Sequence, residues 1–214
     1  HGFNNMINFE FKWDAQKDYE TIFSKYSSKL NGDLKNFSVL NYLSSHDDGQ
    51  PFDAKREKSI ESGTKLLLSP GISQTYYGDE TARSLVVEGT IGDAALRSFM
   101  NWNELKNNMS TKNILLHWQK LGQFRRKHPS VGAGVHDQIE AKFYTFSRSF
   151  SKGKFKDKVV VGLNYPKGYK EVAVGKIFKN GTKVKDAYSG KKSIVVDGKA
   201  IITSDFDIVL LEKL

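Results

Sequence analysis

Three clusters of polar residues in this sequence could carry chemistry. Ser44-Ser45-His46-Asp47-Asp48 sets an imidazole beside two carboxylates, groups that exchange protons and hold negative charge, directly after the apolar run Val39–Leu43. Tyr76-Tyr77-Gly78-Asp79-Glu80 pairs two aromatic rings with two further acids. The aromatic bodies could line a sugar pocket, or could pack with their hydroxyls tied off. Asp93 and Arg97 lie four residues apart in a Gly-containing loop, where they could grip the hydroxyls of a bound glycan or form a surface ion pair of little energetic weight. Taken alone, the His46 cluster is better accounted for as a polar loop with Asp as a turn former.

The elements that would position these clusters alternate strand and helix. Met6, Ile7, Phe9 and Phe11 mark a strand over Asn4–Phe11. Asp14 is the expected N-cap of a following helix whose stripe is Tyr19, Ile22, Phe23, Tyr26 and Leu30, ending near Asn31-Gly32. A second strand is expected over Phe37–Leu43 and a helix over Asp53–Leu68, which Ser69-Pro70-Gly71 breaks. A third strand over Ile72–Tyr77 and, after a long loop, a helix over Thr111–Lys127 complete three βα units, which imply a parallel sheet or barrel. In such folds the site lies beyond the C-terminal ends of the strands, where the first two clusters fall.

After His128-Pro129 the pattern turns from helical to alternating. Strands are expected over 141–148, 159–164, 171–174, 183–186, 193–196, 200–203 and 208–212, with hairpin-type turns at Asn180-Gly181, Ser189-Gly190 and Asp197-Gly198. The organisation is therefore an α/β domain over residues 1–133 and an antiparallel β domain, expected as a sandwich, over 134–214.

The chain is not of disordered composition: its 14 Phe, 9 Tyr and 3 Trp are enough to anchor packed interiors. Without cysteine it can form neither a disulfide framework nor a thiolate metal site. No apolar run approaches a membrane span, and residues 1–12 lack the charged start and apolar stretch of a secretion signal, so any such signal is expected upstream or removed. The net charge of +9 is concentrated in the last third, where Lys152, Lys154, Lys156 and Lys158 alternate through one turn and Lys191-Lys192 occupy another. These are positions of solvated hairpin tips. No helix-turn-helix, zinc or RNA-binding motif accompanies them, so nucleic acid is not expected as a partner.

The clusters, in their order, resemble the signatures of the alpha-amylase family of glycoside hydrolases. Asn41-Tyr42-Leu43-Ser44-Ser45-His46-Asp47 is similar to that family's motif at the seventh barrel strand, and Ser69-Pro70-Gly71-Ile72 through Tyr76-Tyr77-Gly78-Asp79-Glu80 to that at the eighth. Asp93 to Arg97 with Met100-Asn101-Trp102 resembles the following loop, and Leu121 to Pro129 the last barrel helix. The tail, including Phe143–Arg148 and Val159–Tyr165, resembles the family's C-terminal β domain. The resemblance implies the last part of a (β/α)8 barrel, strands six to eight, followed by an antiparallel β-sandwich.

It also implies a retaining mechanism on starch-like α-1,4-linked glucose, in which Asp47 is the transition-state stabiliser opposite an oxocarbenium-like sugar. By the same resemblance His46 hydrogen-bonds the sugar in the cleavage subsite, and Asp93 and Arg97 hold glucose units further toward the non-reducing end. The departures are Ser45, where the family usually has Asn, and the lack of any segment matching the strands that bear the nucleophile and general acid. Glu10, one βα unit upstream of Asp47, falls one unit short of the acid's place and reads as an ordinary residue of the sixth strand. The chain alone is therefore expected to be inactive, its partner being the missing N-terminal half of the barrel. A non-catalytic carbohydrate-binding fragment, an alpha-glucosidase and a transglycosylase are the alternatives. No cofactor or metal is expected in this chain, calcium being possible in the full-length enzyme, and the resemblance suggests secretion or the cell surface.

Overall fold

The computed structural model describes residues 3–214. They form two compact units that divide between Gln123 and Phe124. In the first, β1 (Asn5–Asn8), β2 (Ser38–Asn41) and β3 (Ile72–Ser73) make a parallel sheet in the order β1-β2-β3. Asn8 lies opposite Asn41, and Asn41 opposite Ser73, so the three strands end level with one another. Buried Asn41 fixes that edge: its amide accepts from Asn8 Nδ2 at 2.8 Å and donates to the Pro70 carbonyl at 2.8 Å. The third strand is far shorter than Ile72–Tyr77, because the chain turns into the loop that carries Tyr76 and Tyr77 once Gln74 N–H has bonded the Asn41 carbonyl at 2.8 Å.

Between the first two strands lie α1 (Phe11–Asp14) and α2 (Tyr19–Asn31). Asp18, not Asp14, caps α2: it has extended backbone angles and its carboxylate accepts from Thr21 N–H at 2.9 Å. Asp14 is instead buried at the end of α1, taking hydrogen bonds from Lys17 (2.8 Å), Lys25 and the Tyr26 hydroxyl (2.6 Å). α3 (Ser59–Leu68) starts later than Asp53, whose carboxylate accepts from the Glu57 and Lys58 N–H groups and so shapes the turn ahead of the helix. On α3, Gly63 lets the Trp118 ring lie against the backbone: a Cβ there would meet it at 2.9 Å, while Trp118 Nε1 donates to the Ser59 carbonyl at 2.9 Å. Trp118 belongs to α5 (Met109–Lys127), which follows the short α4 (Trp102–Asn107).

The outer strand of this sheet is bare. Met6 and Ile7 on β1 are each more than half exposed, as are the neighbouring Phe9 and Trp13.

The second unit begins inside α5, ahead of the change of periodicity at His128-Pro129. The reason is local: Lys127 and His128 both bond Glu212 (2.6 and 2.8 Å), and His128 Nδ1 and Ser130 N–H bond Asp157 (2.9 Å each), so the helix end folds with the strands. After α6 (Pro129–Ala133) come β4 (Val135–Glu140), β5 (Thr145–Lys152), β6 (Phe155–Gly162), β7 (Gly168–Ala173), β8 (Lys183–Asp186), β9 (Lys192–Ile194), β10 (Lys199–Ser204) and β11 (Val209–Lys213). Six of these form a sheet in the order β4-β5-β6-β11-β8-β9, and β10 pairs with β7. All ladders in this unit are antiparallel. Val160, Val184, Val209 and Leu211 from the larger sheet share one buried cluster with Val172, Ala200 and Ile202 from the smaller. β4 was not anticipated, since no residue of Val135–Glu140 is buried and the stretch shows no apolar alternation. The Asp197-Gly198 turn has positive φ at both residues (49° and 70°) with Val196 and Lys199 exchanging hydrogen bonds, the conformation its sequence predicts.

One prediction concerns Asp14. Burial raises its carboxyl pKa, but the bonds from Lys17, Lys25 and Tyr26 outweigh burial and hold it down to about 2. A depressed carboxylate contributes stability that is complete above the ordinary Asp range and is lost as pH falls through the folded value. Asp14→Asn is expected to cost about 2 kcal/mol near neutrality, a difference that shrinks between about pH 4 and pH 2. Paired acid titrations of thermal stability read this directly; a difference that does not change with pH contradicts it.

Candidate functional site

The candidate site is built from the loops that leave the level ends of β2 and β3. Past β2, Tyr42 and Leu43 turn inward as core residues, and the chain surfaces at His46 and Asp47, whose side chains are 64% and 62% exposed. Their nearest ring nitrogen and carboxylate oxygen are 3.7 Å apart. Ser45 Oγ donates to Asp47 Oδ1 at 2.8 Å and accepts from Asp47 N–H at 3.4 Å, so the residue that departs from the family pattern orients the carboxylate from behind.

The next acid has a different fate. Asp48 is bonded by the buried Lys12, by the Tyr42 hydroxyl at 3.0 Å and by Gln50 N–H at 3.2 Å. Burial pushes its carboxyl up, and these donors, Lys12 foremost, reverse the effect and hold it below the ordinary carboxylate range. Adjacent carboxylates in one loop thus divide into a locked structural anion and an exposed one.

The cluster after β3 is mainly structural. Asp79 is buried; Ser44 Oγ donates to it at 2.6 Å and Arg56 pairs with it at 2.8 Å, joining the two rim loops. Burial is strong enough to raise its carboxyl above the ordinary value despite both partners. The tyrosine hydroxyls are tied off, Tyr76 to the Leu96 carbonyl at 3.0 Å and Tyr77 to the Ser98 carbonyl at 2.8 Å, although the Tyr77 ring remains 43% exposed.

Arg83, not anticipated as part of the site, is almost wholly buried. Its guanidinium lies 3.9 Å from the Tyr77 ring centroid and 5.2 Å from that of Tyr76. It donates to the carbonyls of Tyr77 (3.0 Å), Ser98 (3.0 Å) and Leu96 (3.2 Å), and also to Ser98 Oγ. Gly78, at φ 86°, makes room for it, since a Cβ there would lie 2.5 Å from the arginine side chain. That glycine was the only sequence signal of the arrangement. Through Leu96 and Ser98, Arg83 pins the 3₁₀ segment Gly92–Arg97.

Arg97 Nε in turn donates to the His46 carbonyl at 3.1 Å, which brings three of the four candidate residues, His46, Asp47 and Arg97, to one place. Asp93 opens the same 3₁₀ segment; it is exposed and, among the described residues, makes no ion pair with Arg97. Glu10 is exposed beside α1, its nearest cation Lys25 Nζ at 3.8 Å. Among the described residues no group of three or more His, Asp or Glu is arranged to hold a metal ion, and no helix is long and apolar enough to cross a membrane.

A parallel βα sheet with polar rim loops, followed by an antiparallel β unit, has counterparts among solved α/β-barrel hydrolases. An Anoxybacillus alpha-amylase superposes with a TM-score of 0.61 at 21% identity, covering 99% of this chain and 48% of that one. The alpha-amylase from H. orenii gives 0.59 at 18% identity, over 100% and 49%. AmyP, solved in complex with maltose, gives 0.64 at 14% identity, over 97% and 49%. These likenesses define the fold as that of alpha-amylase barrel enzymes. In sequence, the periplasmic alpha-amylase of Escherichia coli K12 is 36% identical over 161 residues, which are 72% of this chain and 22% of that protein. No protein-family model matches the chain. The chain belongs to the alpha-amylase family of glycoside hydrolases, and it spans about half the length of the solved structures and 22% of the curated relative.

The site generates a prediction for Arg83. Arg83→Met strands the Tyr77 carbonyl, leaves the Leu96 and Ser98 carbonyls with the tyrosine hydroxyls alone, and is expected to cost about 3 kcal/mol. Trypsin cleavage after Arg97, followed by mass spectrometry, should quicken well before global unfolding does. Unchanged cleavage would mean the segment is held by something else.

Proposed function

We propose that this chain is the part of a retaining alpha-glucan hydrolase that contributes barrel strands six to eight, as β1 to β3, and the C-terminal β-sandwich domain. In this reading the barrel portion ends near residue 133 and α5 is the last barrel helix, its end from Phe124 folding with the β unit. The enzyme would cleave α-1,4-glucosidic bonds of starch-like polymers, with maltooligosaccharides as short substrates. The observation that carries it is the exposed pair His46 and Asp47 at the level ends of the strands, tethered to Arg97.

In the mechanism, Asp47 stabilises the oxocarbenium-like transition state by its negative charge, which is worth most where the glucan excludes water. Ser45 orients that carboxylate. His46 donates to or accepts from hydroxyls of the sugar in the cleavage subsite, while Arg97 and Asp93 hold units toward the non-reducing end. The nucleophile and general acid lie outside this chain, which alone is inactive. Its natural partner is the N-terminal half of the barrel, a reading supported by the bare apolar residues of β1. Calcium in the whole enzyme would draw its ligands from that other half. A site outside the cytoplasm, secreted or at the cell surface, is supported by the periplasmic relative. A non-catalytic glucan-binding role for the isolated chain is the second reading, favoured by the same exposed rim.

The test is reducing-end release from maltoheptaose, together with calorimetric binding, at verified intact mass. The chain is expected to bind without turnover, and His46→Ala to weaken binding by roughly tenfold, the loss of about one charge-free hydrogen-bonding group. Turnover abolished by Asp47→Asn would show that the chain supplies carboxylates beyond those assigned. Absence of binding would remove the glucan site.

A further inference from the structure

The positive charge is confined to one unit. Residues 124–214 hold 19 Lys and Arg against nine Asp and Glu, while the rest of the chain, at 14 against 15, is close to neutral. Within the second unit, one arrangement is not explained by solvation of hairpin tips. Lys183 and Lys185 lie on the same face of β8, Val184 and Asp186 being buried on the other. Lys192 on β9 stands directly opposite Lys185. Like charges directly opposed across strands are destabilising. Lysines on an edge strand deter edge-to-edge pairing, which accounts for Lys192. It does not account for Lys183 and Lys185, because β8 is an interior strand between β11 and β9.

Among the described residues none of the three lysines has an acidic partner. The one carboxylate beside them in the ladder, Glu212 opposite Lys185, is already committed to Lys127 and His128. Lys183 and Lys192 border a shallow recess of about 200 Å³ that Ser193, Ile194 and Leu214 complete, with Ile194 53% exposed. The anchor points are roughly 5 Å apart across the strands and roughly 7 Å apart along β8.

We propose that this face of β8 and β9 binds an anionic polysaccharide, with Lys183, Lys185 and Lys192 pairing its carboxylates. Ammonium groups pair with carboxylates as compact point charges, and the negative polymer relieves the repulsion between Lys185 and Lys192. Ile194, opposite Lys183 on the same face, offers an apolar surface to the sugar rings between charges. The recess has no aromatic side chain and no arginine, the groups on which nucleic-acid bases stack. The role is separate from the glucan site: it would hold the enzyme on a charged glycan surface, and it stands or falls independently of hydrolysis.

The experiment measures binding of the full chain to polygalacturonate by calorimetry, at low and at physiological salt, with amylose as the neutral control. Binding that weakens with salt is expected, and the combined Lys183→Gln, Lys185→Gln and Lys192→Gln variant should lose affinity by roughly tenfold or more. Its thermal midpoint should be unchanged or higher, since a repulsive pair has gone, and Lys192→Gln alone should give an intermediate loss. An equal loss from Lys152→Gln, Lys154→Gln and Lys156→Gln would show that only net charge matters and would overturn the proposal. So would undetectable binding, or equally strong binding to duplex DNA.

Discussion

The candidate site rests on one buried guanidinium. Arg83 carries a full charge into the protein, and its direct contacts are two aromatic rings, three carbonyls and one hydroxyl, none of them an anion. Removing such a charge from water is costly unless its donors are well used. Here the planar fork spreads over acceptors from two stretches of chain, at Tyr77 and at Leu96 to Ser98, and charge-assisted bonds to each offset the cost. The consequence is geometric. Of the 3₁₀ segment Gly92–Arg97 only Leu96 is buried, so the segment has little packing of its own and takes its position from Arg83 and the Tyr76 hydroxyl, which share the Leu96 carbonyl. Arg97 then reaches the His46 carbonyl from a defined place.

The acids of the rim are sorted by the same logic. Asp79 and Asp48 are drawn inward by Arg56 and Lys12, where they tie loops together. Asp47, bonded by the neighbouring Ser45 and beside His46, keeps its carboxylate outward. In the role proposed for it, Asp47 must face the substrate from a loop that is held still, and the two inward acids tie that loop in place. The second unit uses a comparable device: His128 between Asp157 and Glu212 seals the end of α5 to the sheet and makes that helix end part of the β unit.

Much of this was legible in the sequence, for identifiable reasons. The βα order followed from apolar stripes, and hairpin turns such as Asp197-Gly198 followed from residues that tolerate positive φ. The level ends of β1 to β3 placed His46 and Asp47 where strand-rim chemistry was expected. Less legible was anything set by tertiary contact. Asp14 looks like an N-cap in sequence, but it is buried and bonded by Lys17, Lys25 and Tyr26, so Asp18 takes the cap. Arg83 sits in an unremarkable polar stretch, and only Gly78 hinted that something approached the backbone there. β4 has little apolar alternation because it lies at a sheet edge, so no period-2 signal could mark it.

The central claim is that a glucan sits on the rim at His46. The most direct test is an NMR titration of the histidine ring resonances with maltotriose, since the chain has only five histidines and the others described have partners of their own: His117 bonds Thr64 and the Ile60 carbonyl, His128 bonds Asp157 and Glu212, and His136 accepts from Arg148. The account predicts a saturable shift of the His46 ring, with those of His117, His128 and His136 unmoved. A saturable shift at any of those three with His46 unchanged would place the sugar elsewhere and contradict it.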